Sequence, residues 1–309
     1  MDIKSDLKST LAARADEYHR LGLAGVRAAI RAAIAGRDRR CPPLDEVREL
    51  VIDGPAGPLP GRLYRPRGAP PGGPALLFIH GGGFVIGDLD TNDAFCRRLA
   101  DGAQVTVIAA TYRLAPEARY PAQRDDALAA ARWVLTHAAE LGVRPDGLVL
   151  SGDSAGGYLA ITLTAALNAE RPGTVAAQVL VYPLMHIDDA IWSTTIFQDS
   201  RIVGRAAVAY IRSQLADGEV SAPSLFDVDM PPAPPTLIVT GGPLDPVRPD
   251  ARRYGEIIAA QGARVVTREF PLLPHGWANM THASANARKA VTETAALAGA
   301  LIRGQGMGV

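Results

Sequence analysis

The sequence has no surplus of either charge: lysine plus arginine number 32, and so do aspartate plus glutamate. A protein that grips a nucleic-acid backbone carries a basic excess or a basic stripe, so this balance argues against a nucleic-acid partner. The local basic run Arg37, Arg39 and Arg40 follows a helical pattern and reads as a solvated helix end. Cysteine is scarce. Cys41 and Cys96 have neither a CxxC spacing nor a metal-ligand pattern, so they imply no disulfide framework and no metal site. Cys96 falls on a helical stretch and reads as a small apolar filler. Long apolar runs are missing too. No stretch approaches the roughly twenty residues of a membrane span. The opening MDIKSDLKSTLAARADEYHR is charged throughout and lacks the apolar core of a signal peptide. The expectation is a cytoplasmic protein. Internal repeats and long low-complexity segments are also lacking.

What is present is a chain of 309 residues, 48% hydrophobic and 21% charged, enough to bury a large core. Residues 3–36 carry apolar positions at helical spacing among charges, and Cys41-Pro42-Pro43 ends that region. Residues 46–52 and 61–64 read as short strands around a Gly/Pro-rich turn. Strand and helix patterns then alternate. Strands are predicted at 75–80, 105–110, 148–151, 177–182, 236–240 and 265–270, and helices at 93–100, 122–141 and 154–169. Two more helices are expected, one between the last two strands and one after them. This alternation predicts an α/β fold with a mainly parallel central sheet and helices on both faces. Residues 186–235 interrupt it with scattered aromatics, a short helical pattern near 203–215 and a proline-rich exit. That is too long for an ordinary connection and reads as an insertion packed over one edge of the sheet.

The motif with chemistry in it is Gly152-Asp153-Ser154-Ala155-Gly156, a G-x-S-x-G directly after the LVLS strand and directly before a helix. This is the setting of a nucleophile elbow, a sharp turn crowded enough to need small neighbours. Ser154 is then the nucleophile, raised above the sheet, with the helix N-terminus favouring negative charge beside it. His80-Gly81-Gly82-Gly83 follows the ALLFIH strand. Consecutive glycines let backbone amides approach a substrate, and fixed donors to a developing oxyanion are often the largest catalytic term. In such a fold the hole is completed by the amide after the nucleophile, here Ala155.

Serine needs a base. Of the six histidines, His19 and His137 lie on helical stretches. His80 belongs to the glycine loop, where it orients backbone. His186 opens the insertion, and His282 is expected to start the last helix. His275, in Leu273-Pro274-His275-Gly276-Trp277, lies in the loop after the final strand, where this arrangement delivers its base. The acid belongs between serine and histidine in the chain. Asp245, just past the TLIVT strand, suits it; the rival Asp250 has the look of a helix-start residue.

Five ordered segments now stand together: HGGGFVIGDLDT (80–91), YRLAPEARYPA (112–122), GDSAGG (152–157), DPVRPDA (245–251) and HGW (275–277). From about Leu63 onward the sequence resembles the bacterial hormone-sensitive lipase-like esterases, or family IV carboxylesterases, of the α/β-hydrolase superfamily. The resemblance implies Ser154, Asp245 and His275 as a catalytic triad. It implies the amides of Gly82, Gly83 and Ala155 as the oxyanion hole, with His80, Gly81, Gly152, Asp153 and Gly156 supporting the motifs. It further implies a helical cap made of residues 1–45 and 186–235 on a hydrolase core of 46–185 and 236–309. Arg113 and Glu117 are expected to brace the active-site loops by an ion pair, and a homodimer through the sheet edge near the last strand fits the same likeness. Tyr158 stands where such proteins usually have asparagine, and Asn92 where histidine is frequent.

The implied activity is hydrolysis of short- to medium-chain carboxylic esters, small-molecule substrates, through an acyl-enzyme, with no metal or organic cofactor. A lactonase, amidase or lipase using the same triad is the alternative the sequence leaves open. A non-catalytic small-molecule receptor on this fold is a further one, against which the complete triad argues.

Overall fold

Strands buried on both faces need no alternation of polar and apolar residues, and the centre of this chain is written that way. In the computed structural model, which describes residues 22–187, 213–215, 222–228 and 230–305, every residue of β3 (Ala75–Ile79) and β4 (Thr106–Ala110) is buried. So is every residue of β5 (Leu148–Asp153). The outer strand β1 (Glu46–Gly54) buries only Leu50 and Ile52, as a strand with one face in water does. It forms an antiparallel hairpin with β2 (Gly57–Arg65), which runs antiparallel to β4. Then β6 (Val175–Val181), β7 (Thr236–Gly241) and β8 (Val265–Phe270) continue the sheet in parallel. The order across the eight strands is β1-β2-β4-β3-β5-β6-β7-β8.

The order matters for function. The chain leaves β3 for β4 on one side and then returns past it to β5 on the other. Loops at the carboxyl ends of β3 and β5 therefore flank a crevice at a switch point, where open α/β sheets place their ligands. Helix α1 (22–34) lies against the β3 loop through Arg27, and α2 (Leu89–Ala103) follows that loop. Then come α3 (Ala122–Thr136), α4 (Ala155–Glu170), α5 (Arg248–Ala260) and α6 (Ala285–Ile302). α2 packs on α6 and α3 on α4, so both faces of the sheet are covered. No helix among the described residues is long and apolar enough to cross a membrane.

Several elements differ from the sequence pattern for identifiable reasons. Helix α2 starts four residues before the predicted 93, because Asp88 caps it: its carboxylate accepts the Thr91 amide (2.8 Å) while the Thr91 hydroxyl accepts the Asp88 amide (3.0 Å). Helix α3 stops at Thr136 instead of 141. There His137 stacks on Trp133 at 4.2 Å and the chain turns toward Gly142, which has φ +65°. His282 does not start the last helix; Ser284 caps it by accepting the Ala287 amide (3.1 Å), leaving His282 in the preceding turn. Of the predicted 3–36 helix, residues 3–21 lie outside the described residues, His19 among them. Most of the helical pattern at 203–215 lies outside them too; 213–215 are helical.

The described part of the insertion meets the carboxyl-terminal side of the sheet. It lies over the loops that follow central strands: Leu215 accepts from Tyr120 (3.3 Å) and Leu225 donates to Met185 (2.9 Å). The side chains of Leu215 and Leu225 are buried there. Cys41 and Cys96 are free thiols, and Cys96 is buried in α2 as the filler its pattern suggests.

Candidate active site

At the β5–α4 junction Ser154 adopts φ 52°, ψ −115°, a left-handed conformation strained for any residue with a Cβ. The surroundings hold it there. Its amide donates to the Val181 carbonyl (2.9 Å), and its carbonyl accepts from Leu184 (3.0 Å) and Tyr158 (3.2 Å). The turn is tight enough to exclude side chains around it. A Cβ on Gly156 would sit 2.0 Å from the Ile79 carbonyl oxygen, in the adjacent strand, while Gly152 faces Gly156 across the turn. Because that neighbour is backbone, it cannot swing aside. Gly156→Ala should lose at least about 3 kcal/mol of stability, or fail to fold, and a urea titration followed by fluorescence measures it.

Above the elbow the three expected reacting groups meet. His275 Nε2 lies 2.9 Å from Ser154 Oγ, and His275 Nδ1 lies 2.9 Å from Asp245 Oδ1. Asp245 is fully buried, yet its carboxylate is well satisfied. Oδ1 also accepts the Val247 amide (3.2 Å) and Oδ2 accepts the Gly241 amide (3.0 Å). The rival Asp250 is elsewhere: it sits in α5 and its Oδ2 meets His186 Nε2 at 3.1 Å.

The glycine loop arrives beside the serine. Gly82 has φ 107°, and a Cβ there would fall 2.2 Å from the Ile86 carbonyl oxygen, so only glycine fits. Among the described residues the amides of Gly82 and Gly83 donate to no backbone carbonyl, and Ala155 is the first residue of α4. A helix N-terminus and unpaired loop amides are the ingredients of an anion site. His80 packs within the loop. Its Nδ1 contacts the Gly81 carbonyl (2.8 Å), its ring stacks on Tyr112 at 4.4 Å, and its own carbonyl accepts the Tyr112 hydroxyl (2.9 Å). Burial pushes its imidazole below the usual histidine range, which keeps it neutral.

Asp153, between Gly152 and Ser154, does more than space the motif. It is buried, its Oδ1 accepts the Gly81 amide (2.6 Å) and its Oδ2 the Tyr182 hydroxyl (3.4 Å). The Tyr182 ring packs 4.7 Å from His275, and its oxygen accepts the Ala278 amide (3.3 Å). Asp153 thus links the glycine loop to the wall behind the base. Burial pushes its carboxyl up from 3.8 to about 6, opposed by the Gly81 hydrogen bond and by the charge of His275. Between those two values the folded chain keeps a proton that the unfolded chain has released. Stability therefore falls as pH rises through that window and stays reduced above it, by about 3 kcal/mol. Asp153→Asn should accordingly melt higher than wild type at about pH 8, with the difference vanishing near pH 4. Turnover should fall by about tenfold, because a negative charge that would steady the imidazolium formed during the reaction is gone. Scanning calorimetry and steady-state rates on the same preparations measure both.

Some expected partners are not partners. Arg113 and Glu117 form no ion pair with each other. Arg113 holds the buried Asp126 through two side-chain bonds (2.7 and 2.8 Å) and its own amide (2.9 Å). Glu117 pairs with Arg27 of α1 (2.6 Å). Arg27 also donates to the carbonyls of Val85 (2.7 Å) and Ala115 (2.8 Å), pinning α1 to the loops around the site. Arg27 and Tyr182 are the supporting residues that the sequence did not single out. Nothing in a charged helix face or a lone Tyr-Pro after a strand marks either one.

With this geometry in place, comparison with known proteins is decisive. The model of a family described as alpha/beta hydrolase fold matches residues 76–279, which contain the glycine loop, Asp153, Ser154, Asp245 and His275. The chain belongs to this family, in its hormone-sensitive lipase-like branch. The hydrolase is 38% identical over 246 residues to the esterase LipI of Mycobacterium tuberculosis, covering 75% of this chain and 74% of that one. It is 34% identical over 231 residues to an ethyl acetate hydrolase of Pseudomonas putida, covering 72% of each. Among solved structures it resembles an esterase of Pyrobaculum calidifontis, with TM-score 0.83 and 30% identity over 91% of this chain and 93% of that one.

Proposed function

We propose that the hydrolase is a serine carboxylesterase that cleaves short- to medium-chain carboxylic esters through an acyl-enzyme. The observation that carries this reading is the continuous pair of 2.9 Å contacts from Ser154 Oγ through His275 to Asp245. The names of the relatives, esterase and ethyl acetate hydrolase, support the same class of substrate.

In this mechanism His275 Nε2 takes the Ser154 proton as Oγ attacks the ester carbonyl carbon. Asp245 holds the ring with Nδ1 protonated and stabilises the imidazolium. The carbonyl oxygen becomes an oxyanion among the amides of Gly82, Gly83 and Ala155. When the tetrahedral species collapses, the C–O bond to the alcohol breaks and His275 protonates the departing oxygen. Water then gives a proton to His275 and attacks the acyl carbon; the bond to Ser154 Oγ breaks, His275 returns that proton to Oγ, and the acid is freed.

Residues 1–45 and 186–235 are proposed as a cap on the core of 46–185 and 236–309. The Arg27 contacts with Val85 and Ala115 and the Leu215 and Leu225 pairings support it. A homodimer through β8, the terminal strand of the described sheet, a cytoplasmic location and no nucleic-acid partner complete the proposal. Hydrolysis of p-nitrophenyl esters from acetate to palmitate tests its core. Turnover of the shorter esters with a decline toward palmitate is expected. Folded protein inactive on the whole series would overturn the reading.

A further inference from the structure

Tyr158 stands one helical turn beyond Ser154 on α4, fully buried, and no step of the reaction uses it. Its ring meets Phe84 edge-on, with centroids 5.7 Å apart at 89°. Phe84 belongs to the glycine loop, has φ 66° and accepts the Ala115 amide on its carbonyl (2.9 Å). The Tyr158 hydroxyl reaches outward and donates to the carbonyl of Pro223 in the insertion (2.8 Å). Burial foremost, with Tyr120 beside it, keeps the phenol protonated and therefore a donor.

The segment that receives this bond is otherwise held from another side. Leu225 donates to Met185 (2.9 Å), and Phe226 lies between the His186 ring (6.2 Å) and the Arg253 guanidinium (4.3 Å), all of them beyond β6. Tyr158 is the side chain that ties the same segment to the helix carrying the nucleophile. It touches the oxyanion loop, the nucleophile helix and residues 222–228 at once.

We propose that Tyr158 is a specificity-determining positioning residue: it sets how far segment 222–228 stands from Ser154, and so the acyl length the hydrolase accepts. The inference rests on the esterase reading above. A short acyl group needs a close wall to bind against, and a long one is obstructed by it. Releasing the wall therefore moves KM in opposite directions for the two, without touching a reacting group.

Tyr158→Phe removes the hydroxyl, with its bond to Pro223 and its contacts with Tyr120 and Thr162, and keeps the ring on Phe84. Steady-state kinetics on p-nitrophenyl acetate, butyrate and decanoate are paired with hydrogen exchange of the free enzyme. The expected result is KM for acetate and butyrate raised by about five- to tenfold, KM for decanoate lowered, and kcat within about twofold. Amides in 222–228 should exchange about tenfold faster, with β5 and α4 unchanged. Unchanged KM for all three esters would overturn the proposal, as would an equal loss of kcat on all three at constant KM. If the wild type cleaves none of these esters, the esterase reading fails separately. Exchange then decides the tether alone: faster exchange in 222–228 supports it and unchanged exchange overturns it.

Discussion

Ser154→Ala is expected to reduce ester turnover to about 10⁻⁵ of wild type or less, the scale of loss when a nucleophile of this kind is removed. The protein should stay folded. Alanine keeps the Cβ, and the bonds that hold the strained turn are backbone ones, from Ser154 to Val181, Leu184 and Tyr158. The substitution deletes one hydroxyl and its contact with His275. Substrate binding should survive, since the glycine loop and the walls are unaltered. Kinetics at saturating ester, with a melting curve on the same sample, separates lost chemistry from lost structure. Activity above about a hundredth of wild type in a folded variant would remove Ser154 from the reaction.

Asp245→Asn is expected to cost about 10³- to 10⁴-fold in kcat with KM changed only a few-fold. Asp245 uses both oxygens as acceptors, for His275 Nδ1 and the Val247 amide on one side and the Gly241 amide on the other. An amide has one acceptor oxygen. If its NH₂ faces His275, the ring must carry its proton on Nε2 and can no longer accept one from Ser154. If its NH₂ faces Gly241, two donors meet in a fully buried place, at a cost of about 1–3 kcal/mol. In neither orientation does a negative charge remain to steady the imidazolium. A drop of less than about tenfold would assign the acid's role elsewhere. Asp250, held by His186 in α5, is not positioned to take it.

That Ser154, His275 and Asp245 meet was legible because each is marked by its place after a strand. A buried apolar run followed by Gly-x-Ser-x-Gly, by Leu-Asp-Pro or by Pro-His-Gly leaves few choices for what stands at the carboxyl end of the sheet. The inner parallel strands β3 and β4 were legible because residues buried on both faces leave an apolar signature. The ion pairs were not. Arg113 and Glu117 lie in one short motif but serve partners on different elements, Asp126 and Arg27. A charged side chain carries no periodic mark of which distant carboxylate it meets. Helix ends were missed where side chains decide them, as with the Asp88–Thr91 box at the start of α2 and Ser284 at the start of α6. Tyr182 was invisible because its role comes from three separate segments converging on Asp153, Ala278 and His275.

The most direct measurement is the site at which a mechanism-based acylation mimic lands. A p-nitrophenyl phosphonate ester presents a tetrahedral phosphorus to an activated serine, which displaces p-nitrophenol and becomes phosphonylated. Intact-mass and peptide mass spectrometry after stoichiometric treatment should find one adduct per chain, on Ser154, rising in step with the loss of esterase activity. Its formation should fail in His275→Ala, where the serine has no base. Full inactivation with the adduct on another residue, or complete modification of Ser154 with activity retained, would contradict the assignment of Ser154 as the nucleophile.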